Sequence, residues 1–288
     1  MVFAGTSAFA GPTLNQLVEA GHHVALVVTQ PDRLGGRGMK PLQSEVKLQA
    51  TELGLPIFQP ERIRNEDAQA RIRDLDADVM VVVAYGQILP ASLINAPRLG
   101  TLNLHASLLP RHRGPAPIEW AILSGDQETG MTVMQMDAGV DTGAILSQEK
   151  ISIGPDETAG HLEGQLANIG GRLLLRTLDE LAAGRIHPTP QPSEGATHAP
   201  RLRSEDGKLD PATMSADEID RRVRALGERI GTWITVNGVE LKVFHGHPDG
   251  EPGAGVPVPT VSGLYVVDEV QPAGGRRMPA AAWARGRR

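Results

Sequence analysis

The chain of 288 residues is 40% apolar and 22% charged, carries a net charge of −6 and contains no cysteine. This length and composition are typical of a globular protein with one large and one small domain, and the missing cysteines exclude disulfides, thiolate metal sites and a cysteine nucleophile. No stretch approaches the roughly 18 apolar residues of a membrane helix, and no basic leader precedes the first strand, so we expect no membrane association. The absence of cysteine favours a reducing, cytoplasmic location. We also expect a monomer. The chain starts almost within its first strand, and one or two residues are expected to be missing before it.

The first 200 residues alternate between strand and helix patterns. The segments VFAG, VALVVTQ and LPIFQP are strand-like, and helical patterns separate them. The segment VMVVVAY, residues 79–85, is apolar throughout, as expected for a strand that is covered on both faces. Such alternation predicts an α/β fold, with a Rossmann-like, mostly parallel sheet between helices. Ligands of these sheets bind at the carboxyl ends of the strands, and TLNLHAS, residues 101–107, forms one such end.

Two further strand patterns and a long helix complete the first domain. MTVMQMD and AILSQEKISI, joined by the turn-rich AGVDTG, predict a hairpin added to the sheet, and apolar residues at helical spacing predict a helix over 158–181. Four prolines between residues 184 and 204 indicate a linker. The polar segment SADEIDRRVRAL and several short strands with glycine and proline turns predict a helix and a small C-terminal β-barrel. We therefore expect a first domain over 1–184, a linker over 185–204 and a second domain over 205–288.

Several motifs that suggest ligand binding lack part of the required pattern. GTSAFAG, after the first strand, lacks the spacing of the G-x-G-x-x-G dinucleotide motif, and GGRGMK, residues 35–40, is not a phosphate-binding P-loop. Asp137 and Asp141 do not form an EF-hand loop, because the AGV between them supplies no oxygen side chain. HGH, residues 245–247, could chelate a metal, but no third ligand lies near it in sequence, and we interpret this histidine pair as structural.

One pair of polar residues is unusual for the end of a core strand. Asn103 and His105 stand at alternate positions of TLNLHAS and therefore share one face of the strand. Taken singly, each residue is more typical of a turn cap or of a hydrogen-bonded core histidine than of a site. Together, before a proline-stiffened loop, they suit a site to which DAGVDTG could bring the carboxylate of Asp141. An amide, an imidazole and a carboxylate can promote attack on a carbonyl group by stabilising an oxyanion and moving a proton.

Longer stretches of the chain resemble a known family. NLHASLLPRHRG is similar to the signature of the enzymes that transfer a formyl group from 10-formyltetrahydrofolate to an amine. The resemblance extends over nearly the whole chain and is most specific for the methionyl-tRNA formyltransferases, in QPDRLGGRGMK, VMVVVAYGQILP, GTLNLHASLLPRHRGPAP, TVMQMDAGVDTG and EGATHAPRLRSEDGKLD. The combination of Asn-x-His, SLLP and the later Asp-x-Gly carries the resemblance, because SLLP alone is a weak signal.

The resemblance implies a role for each group of residues that matches a motif of the family. The catalytic positions fall on Asn103, His105 and Asp141. The loop that contacts the folate falls on Ser107, Leu108, Leu109 and Pro110, and the wall of the pterin pocket falls on Gln87, Ile88 and Leu89. The loop that approaches the acceptor end of tRNA matches residues 32–40, whose basic residues are Arg33, Arg37 and Lys40. The folate, 10-formyltetrahydrofolate, is a cosubstrate, and no metal is implied.

The resemblance also implies the reaction and the partners. The free α-amine of methionine on initiator tRNA attacks the formyl carbon of the folate, and the C-terminal domain is a small tRNA-binding β-barrel of the oligonucleotide-binding (OB) type. LGERIGTW, residues 226–233, departs from the proline- and aromatic-rich turn of the family, so a sugar amine or another small-molecule amine is an alternative acceptor. A hydrolase that releases formate from the same folate and a non-catalytic RNA-binding protein on this scaffold are further alternatives.

Charge is unevenly distributed along the chain. Residues 1–200 carry 15 basic and 22 acidic side chains, whereas residues 201–288 carry 13 and 12. The last 19 residues hold five arginines and no acidic residue, and we interpret the run from Arg276 to Arg288 as an exposed, frayed tail. We expect this run and the loop at residues 32–40 to bind the RNA of the acceptor through clustered positive charge.

Overall fold

A computed structural model describes residues 1–35, 40–248 and 255–286. The chain forms two compact units. The first unit consists of residues 1–114, 129–151 and 163–198, and the second unit consists of residues 115–128, 152–162 and 199–288. Among the helices of the described residues, none is both long and apolar enough to cross a membrane.

The chain alternates strands and helices up to residue 182, as the sequence predicts. In chain order the elements are β1 (Val2–Gly5), α1 (Gly11–Glu19), β2 (Leu26–Val28), β3 (Arg33–Gly35), β4 (Lys40–Leu42), α2 (Glu45–Glu52), β5 (Ile57–Phe58), α3 (Glu66–Arg73), β6 (Met80–Val83), α4 (Ala91–Ile94), β7 (Thr101–His105), α5 (Pro117–Leu123), β8 (Glu128–Gln135), β9 (Ile145–Ser152) and α6 (Ala159–Ala182). Local chemistry explains several starts. Prolines occupy the first turns of α1 and α5, and the Ser44 side chain caps α2 by accepting from the Lys47 main-chain N–H.

The sheet of the first unit has the strand order β5-β2-β1-β6-β7-β8-β9. Neighbouring strands from β5 to β7 run parallel, and β8 runs antiparallel to β7. The order reverses between β1 and β6, because the chain first builds outward to β5 and then returns to the other side of β1. Ligands of open α/β sheets bind outside the carboxyl ends of the strands near such a reversal. The segments that follow β2, β6 and β7 therefore lie at the edge where a ligand is expected.

The hairpin and the long helix that the sequence predicts are confirmed as β8, β9 and α6. The segment at residues 32–40, expected to be a loop, instead begins and ends in two short antiparallel strands. Arg33 pairs with Leu42, and Gly35 pairs with Lys40. A glycine-rich segment shows no alternation of apolar and polar residues, so its pairing is not visible in the sequence.

The second unit contains a separate sheet, as the short C-terminal strands predict. Its elements beyond residue 199 are β10 (Lys208–Leu209), α7 (Ala216–Leu226), β11 (Thr232–Val236), β12 (Val239–Pro248), β13 (Val256–Pro259), β14 (Leu264–Pro272), β15 (Met278–Pro279) and α8 (Ala280–Arg285). The strand order is β10-β11-β12-β14-β13, and β15 pairs with β14. Helix α7 begins with a capping box, in which Ser215 and Glu218 each bond the other's main-chain N–H. Its buried Ile219 and Val223 join Ile234 in the core of this unit.

The C-terminal segment is not the frayed tail that its arginines suggest. Strand β15 pairs with β14, and Ala280 and Trp283 of α8 are buried in the core of the second unit. The sequence expectation is therefore wrong for residues 278–285. The helix AAAWAR has only six residues, too few for a clear apolar period, and the arginines on both sides make the segment look polar in composition.

The histidine pair of HGH, interpreted as structural from the sequence, shares one carboxylate. His245 and His247 lie on β12, and the Nδ1 atoms of both imidazoles lie within hydrogen-bonding distance of Asp268 Oδ2, at 2.9 Å and 3.0 Å. Asp268 belongs to the neighbouring strand β14. The shared carboxylate therefore joins two strands of the second sheet.

The unusual junction LGERIGTW forms a compact turn between α7 and β11. Main-chain N–H groups of Arg229, Ile230 and Gly231 all donate to the carbonyl oxygen of Leu226. The Arg229 guanidinium also lies 2.8 Å from a carboxylate oxygen of the buried Glu119. These contacts, all within the second unit, hold the turn in place.

The segment interpreted as a linker is in part bonded to the first unit. Thr189 exchanges two main-chain hydrogen bonds of 2.8 Å with Ile145, and Thr197 accepts from the Arg113 N–H at 2.9 Å. Residues 187–198 of the expected linker, which we call the bridging segment, therefore lie in the first unit and bond to it. Prolines and single bridges produce no periodic pattern, so the sequence does not reveal these contacts.

Candidate active site

Strand β7 carries two polar side chains to its carboxyl end. Asn103 is half-buried and His105 is buried, and Leu104 between them points to the opposite face and into the core. The period of two along a strand places the amide and the imidazole on one side of the sheet. The sequence-predicted pair is thus aimed at the same space.

The loop between β8 and β9 brings a carboxylate to this pair. Asp141 Oδ1 accepts a hydrogen bond from Asn103 Nδ2 at 3.3 Å, and Asp141 Oδ2 accepts one from the Gly114 main-chain N–H at 2.8 Å. Asp141 Oδ2 also lies 3.7 Å from His105 Nδ1. The three side chains that the sequence singles out therefore meet in the first unit, although Asp141 is 38 residues from Asn103.

Local bonds explain the shape of this loop. Asp137 Oδ1 accepts from the Gly139 N–H at 2.9 Å and from the Thr142 hydroxyl at 2.7 Å, which closes a tight turn. Asp141 itself has a positive φ of 53°, a left-handed conformation that aspartate adopts more readily than most residues. This conformation turns the carboxylate back toward β7.

The position of His105 determines which nitrogen faces the site. His105 Nε2 lies 3.0 Å from the carbonyl oxygen of His112, and a carbonyl oxygen can only accept. Nε2 therefore carries a proton, and Nδ1 is the nitrogen on the side of Asp141. A donor role for Nδ1 requires the doubly protonated, cationic imidazole, with the Asp141 carboxylate as its counter-ion.

The loop after β7 is held by a buried threonine. The Thr132 hydroxyl donates to the Ser107 carbonyl oxygen at 2.6 Å and accepts from the Leu109 N–H at 3.2 Å. Gln148 Nε2 donates to the Leu109 carbonyl oxygen and to Thr132 Oγ1, both at 2.9 Å. The Ser107 hydroxyl donates to the Arg111 carbonyl oxygen, and the peptide bond between Leu109 and Pro110 is cis. These hydrogen bonds hold the loop Ser107–Pro110, in which Leu108 and Pro110 are half-buried, directly after the strand that carries Asn103 and His105.

The predicted pterin wall follows β6. Gln87 Oε1 accepts from the Ile63 N–H at 2.9 Å, so this amide stabilises the turn. Leu89 is 5% exposed and packs in the core, whereas Ile88 is 67% exposed. Of the three side chains, only that of Ile88 is broadly available to a ligand, and Gln87 and Leu89 can contribute through their main chain.

The basic residues proposed for RNA binding are only partly described. Arg33 lies on β3 with its side chain exposed, and its guanidinium donates to Gln30 Oε1 at 2.6 Å. Gln30 Nε2 in turn donates to the Tyr85 carbonyl oxygen at 3.0 Å, which links the segment before β3 to the segment after β6. Arg37 lies outside the described residues, and so does the side chain of Lys40, whose main chain begins β4.

Three residues of the site are not apparent from the sequence. Arg113 Nε and Nη2 donate to Gln191 Oε1 at 3.0 Å and 2.7 Å, and Gln191 Nε2 donates to the carbonyl oxygens of Asp141 and Gly143 at 2.9 Å and 2.7 Å. Thr197 Oγ1 accepts from the His112 N–H at 2.8 Å. Gln191 and Thr197 belong to the segment interpreted as a linker. The only sequence signal near them is the stretch EGATHAPRLRSEDGKLD that resembles the family.

The site combines groups that suit acyl transfer to an amine. Asn103 offers an amide donor and His105 an imidazole at the carboxyl end of β7, and Asp141 offers a carboxylate that accepts from neighbouring N–H groups. Donors aimed at a developing oxyanion and a carboxylate that can accept a proton are the groups that such a reaction requires. No serine or cysteine nucleophile is required if a substrate supplies the attacking atom.

The chain matches known proteins over its full length. The formyl transferase family matches residues 1–178, and the C-terminal domain of formyl transferases matches residues 201–288. The chain is 45% identical over 300 positions to the methionyl-tRNA formyltransferase of Halorhodospira halophila, which covers 100% of this chain and 96% of that protein. It is 49% identical over 258 positions to the methionyl-tRNA formyltransferase of Paramagnetospirillum magneticum, covering 89% of this chain and 84% of that protein.

A solved structure has a similar fold. The N-formyltransferase from Helicobacter canadensis, in complex with folinic acid and dTDP-3-aminofucose, is 16% identical with a TM-score of 0.71, over 96% of this chain and 98% of that chain. At this identity the similarity concerns the fold alone. The sequence matches carry the assignment, and they confirm the resemblance seen in the motifs. With both family domains matched and relatives at 45% and 49% identity, the chain belongs to the formyl transferase family, among the methionyl-tRNA formyltransferases.

Proposed function

We propose that this formyltransferase moves the formyl group of 10-formyltetrahydrofolate to the free α-amine of methionine on initiator tRNA, in the cytoplasm. The convergence of Asn103, His105 and Asp141 at the carboxyl end of β7 is the observation that carries the proposal. Family membership supplies the reaction class, and the relatives named methionyl-tRNA formyltransferase support this acceptor.

The reaction needs one oxyanion and one proton transfer. The amine nitrogen attacks the formyl carbon, and the carbonyl oxygen takes the electron pair and becomes an oxyanion. Asn103 Nδ2 and the cationic form of His105 donate hydrogen bonds to that oxygen, which lowers the barrier most where the donors are preorganised. Asp141 accepts the proton that the amine loses. The oxyanion then re-forms the carbonyl group as the bond to N10 breaks, and N10 takes the proton held by Asp141. Formylmethionyl-tRNA and tetrahydrofolate leave, and the Asp141 carboxylate is regenerated.

The loop after β7 and the segment after β6 are the proposed folate site. The Ser107 and Gln87 side chains are engaged in internal hydrogen bonds, so their contacts with the folate run through the main chain. Exposed Ile88 and half-buried Leu108 offer apolar surface for the pterin ring. The four residues Ser107–Pro110 then present the formyl group to Asn103 and His105.

The test is a formyl-transfer assay with several acceptors. Purified protein receives 10-formyltetrahydrofolate with methionyl-initiator tRNA, methionyl-elongator tRNA, a dTDP-amino sugar or free methionine. We expect formylation of initiator tRNA, detected on acid gels, with at least a tenfold preference in kcat/KM over the other acceptors, about 1.4 kcal/mol of discrimination. Transfer only to the amino sugar, or release of formate without any acceptor, would contradict the proposal.

A further inference from the structure

The bridging segment, residues 187–198, bonds both loops that carry the proposed catalytic groups. Thr189 pairs with Ile145 at the start of β9, just after the Asp141 loop. At the other end of the segment, Thr197 bonds to the loop after β7, where Arg113 N–H donates to the Thr197 carbonyl oxygen and Thr197 N–H donates to the Pro110 carbonyl oxygen at 3.3 Å. All these residues belong to the first unit.

Gln191 makes the most specific of these contacts. Its amide oxygen faces two donors of Arg113, and its amide nitrogen faces the carbonyl oxygens of Asp141 and Gly143. A guanidinium can only donate and a carbonyl can only accept, so only this orientation of the amide satisfies all four contacts. Gln191 thereby binds the main chain of Asp141, a residue in the left-handed conformation. The Asp141 carboxylate meanwhile accepts from Asn103 and Gly114.

Thr197 acts on the histidine side of the site. Its hydroxyl accepts from the N–H of His112, a residue with a positive φ of 59° that most L residues avoid. The His112 carbonyl oxygen in turn accepts a hydrogen bond from the Nε2–H of His105. Thr197 therefore stabilises the turn that fixes the tautomer of His105 and leaves Nδ1 facing Asp141.

We propose that Gln191 and Thr197 are positioning residues of the formyl-transfer site, and that the bridging segment sets the geometry of Asp141 and His105 without contacting either substrate. The inference rests on the proposed function for its catalytic readout. The restraint of both loops by this segment does not depend on which acceptor the protein uses. Displacement of a catalytic group by about 1 Å costs up to about 100-fold in rate, so the effect of losing either contact is measurable.

The experiment compares variants of the full chain in which one contact is removed. Gln191→Ala removes the clamp, and we expect kcat to fall at least about 10-fold, with the KM for the folate within about twofold of wild type. Gln191→Glu keeps the acceptor for Arg113 but turns an oxygen toward two carbonyl oxygens, so it should be no better than alanine. Thr197→Val removes the hydroxyl acceptor at nearly constant volume, and Thr197→Ser should restore activity.

Two readouts do not depend on turnover. Hydrogen exchange of residues 137–145 and of the Gly114 N–H should accelerate in Gln191→Ala, because that N–H donates to Asp141. The imidazole nitrogen NMR signals of His105 should change in Thr197→Val. Glu194→Ala is the matched control, since this exposed side chain lies between the two proposed residues and it should leave every readout unchanged.

The outcomes separate this inference from the proposed function. If the wild type fails to formylate tRNA, the proposed function is wrong, and the exchange and NMR readouts still decide the inference. If wild type is active and Gln191→Ala keeps its kcat and its exchange rates, the positioning role is wrong. Full activity in Gln191→Glu would also overturn it, because the contact with Arg113 alone would then suffice.

Discussion

Asp141 has more hydrogen-bond contacts than an exposed loop carboxylate usually has. Its side chain is 16% exposed, and its two oxygens accept separately from Asn103 and Gly114. Each oxygen of a carboxylate can accept, whereas an amide has only one oxygen. An amide at position 141 would therefore lose both the negative charge and one of the two oxygens that accept from Asn103 and Gly114.

Asp141→Asn should abolish most activity at every pH. Asparagine also tolerates a positive φ, so the loop keeps its shape while the negative charge and one acceptor are lost. We expect kcat to fall about 100-fold or more between about pH 6 and pH 9, measured as formyl transfer at saturating folate. Complete recovery at high pH would show that the carboxylate acts only on the ionisation of a neighbour, contrary to the proposed proton transfer.

Asn103→Ala tests the oxyanion donor. The substitution removes one amide donor without altering Ser107–Pro110, so kcat should fall roughly 100-fold with little change in the Kd of a folate analogue. Asn95→Ala, a change at an exposed position at the end of α4, is the control. Near-normal turnover of Asn103→Ala would reduce this residue to a turn cap.

Tyr85→Phe should stabilise the protein, and more so in alkali. The Tyr85 hydroxyl is buried with no hydrogen-bond partner among the described residues, and burial raises the pKa of its phenol to about 12. Its removal should raise the free energy of unfolding by about 1 kcal/mol at neutral pH. In wild type the unfolded phenol ionises above about pH 10 while the folded phenol stays neutral, so stability falls as pH rises from about 10 toward 12.

Chemical denaturation at pH 7 and pH 10.5 measures this difference. The advantage of Tyr85→Phe over wild type should be larger at pH 10.5, because the variant lacks this alkaline loss. The protein has only two tyrosines, and the second, Tyr265, is also buried with a raised pKa but is common to both proteins. An equal or smaller difference at pH 10.5 would show that the Tyr85 phenol is not shielded from solvent.

At the scale of elements, helix α6 approaches the sheet through a glycine. A Cβ at Gly170 would lie 2.9 Å from Met131 Cε and 3.0 Å from Leu104 Cδ2, so the helix backbone packs against side chains of β7 and β8. Leu104 separates Asn103 from His105 in β7. Helix α6 therefore packs against the strand that carries both proposed catalytic side chains.

Gly170→Leu should destabilise the protein by about 1–3 kcal/mol, since the added side chain overpacks a full core. Gly164→Leu is a matched control in the same helix, because a Cβ there would have no neighbour within 4 Å. It should leave stability unchanged or raise it by up to about 1 kcal/mol, through higher helix propensity. Thermal unfolding distinguishes the two, and equal melting temperatures would mean that α6 does not approach β7 so closely.

At the scale of the whole molecule, an acidic protein has to bind an acidic partner. The net charge is −6, so attraction to tRNA must come from local clusters of positive charge. We call the arginines of the run from Arg276 to Arg288 the C-terminal cluster. In this cluster, Arg277 pairs with Glu269 and stacks on Phe244, which reduces the positive charge that it offers to tRNA. Its neighbour Arg276 is exposed, and among the described residues it has no ion-pair partner.

Arg37→Ala should weaken the dependence of tRNA affinity on salt. Loss of one phosphate contact lowers the slope of log K against log salt concentration by about one unit, and folate binding should stay unchanged. In the C-terminal cluster, Arg276→Ala should lower the slope more than Arg277→Ala, because Arg277 already has a carboxylate partner. Unchanged slopes in filter-binding titrations, with normal formylation, would remove these residues from the tRNA site.

The sequence alone predicts the alternating elements, the parallel sheet and the pair of polar residues at the end of β7. These features depend on hydrophobic period, composition and residue order, which are local properties of the chain. It also determined the family, because the motifs around Asn103, His105 and Asp141 are specific in combination. The prediction of a frayed tail after Arg276 is wrong, since burial of Trp283 depends on a sheet that forms elsewhere in the chain.

The contacts that hold the site together depend on the tertiary structure. Gln191 is 50 residues from Asp141, and Thr197 is 85 residues from His112, and neither contact belongs to a periodic element. Single hydrogen bonds from an irregular, proline-rich segment produce no pattern along the chain, so their partners are set by the fold alone. The tautomer of His105 likewise follows from one carbonyl oxygen that the fold places 3.0 Å from Nε2.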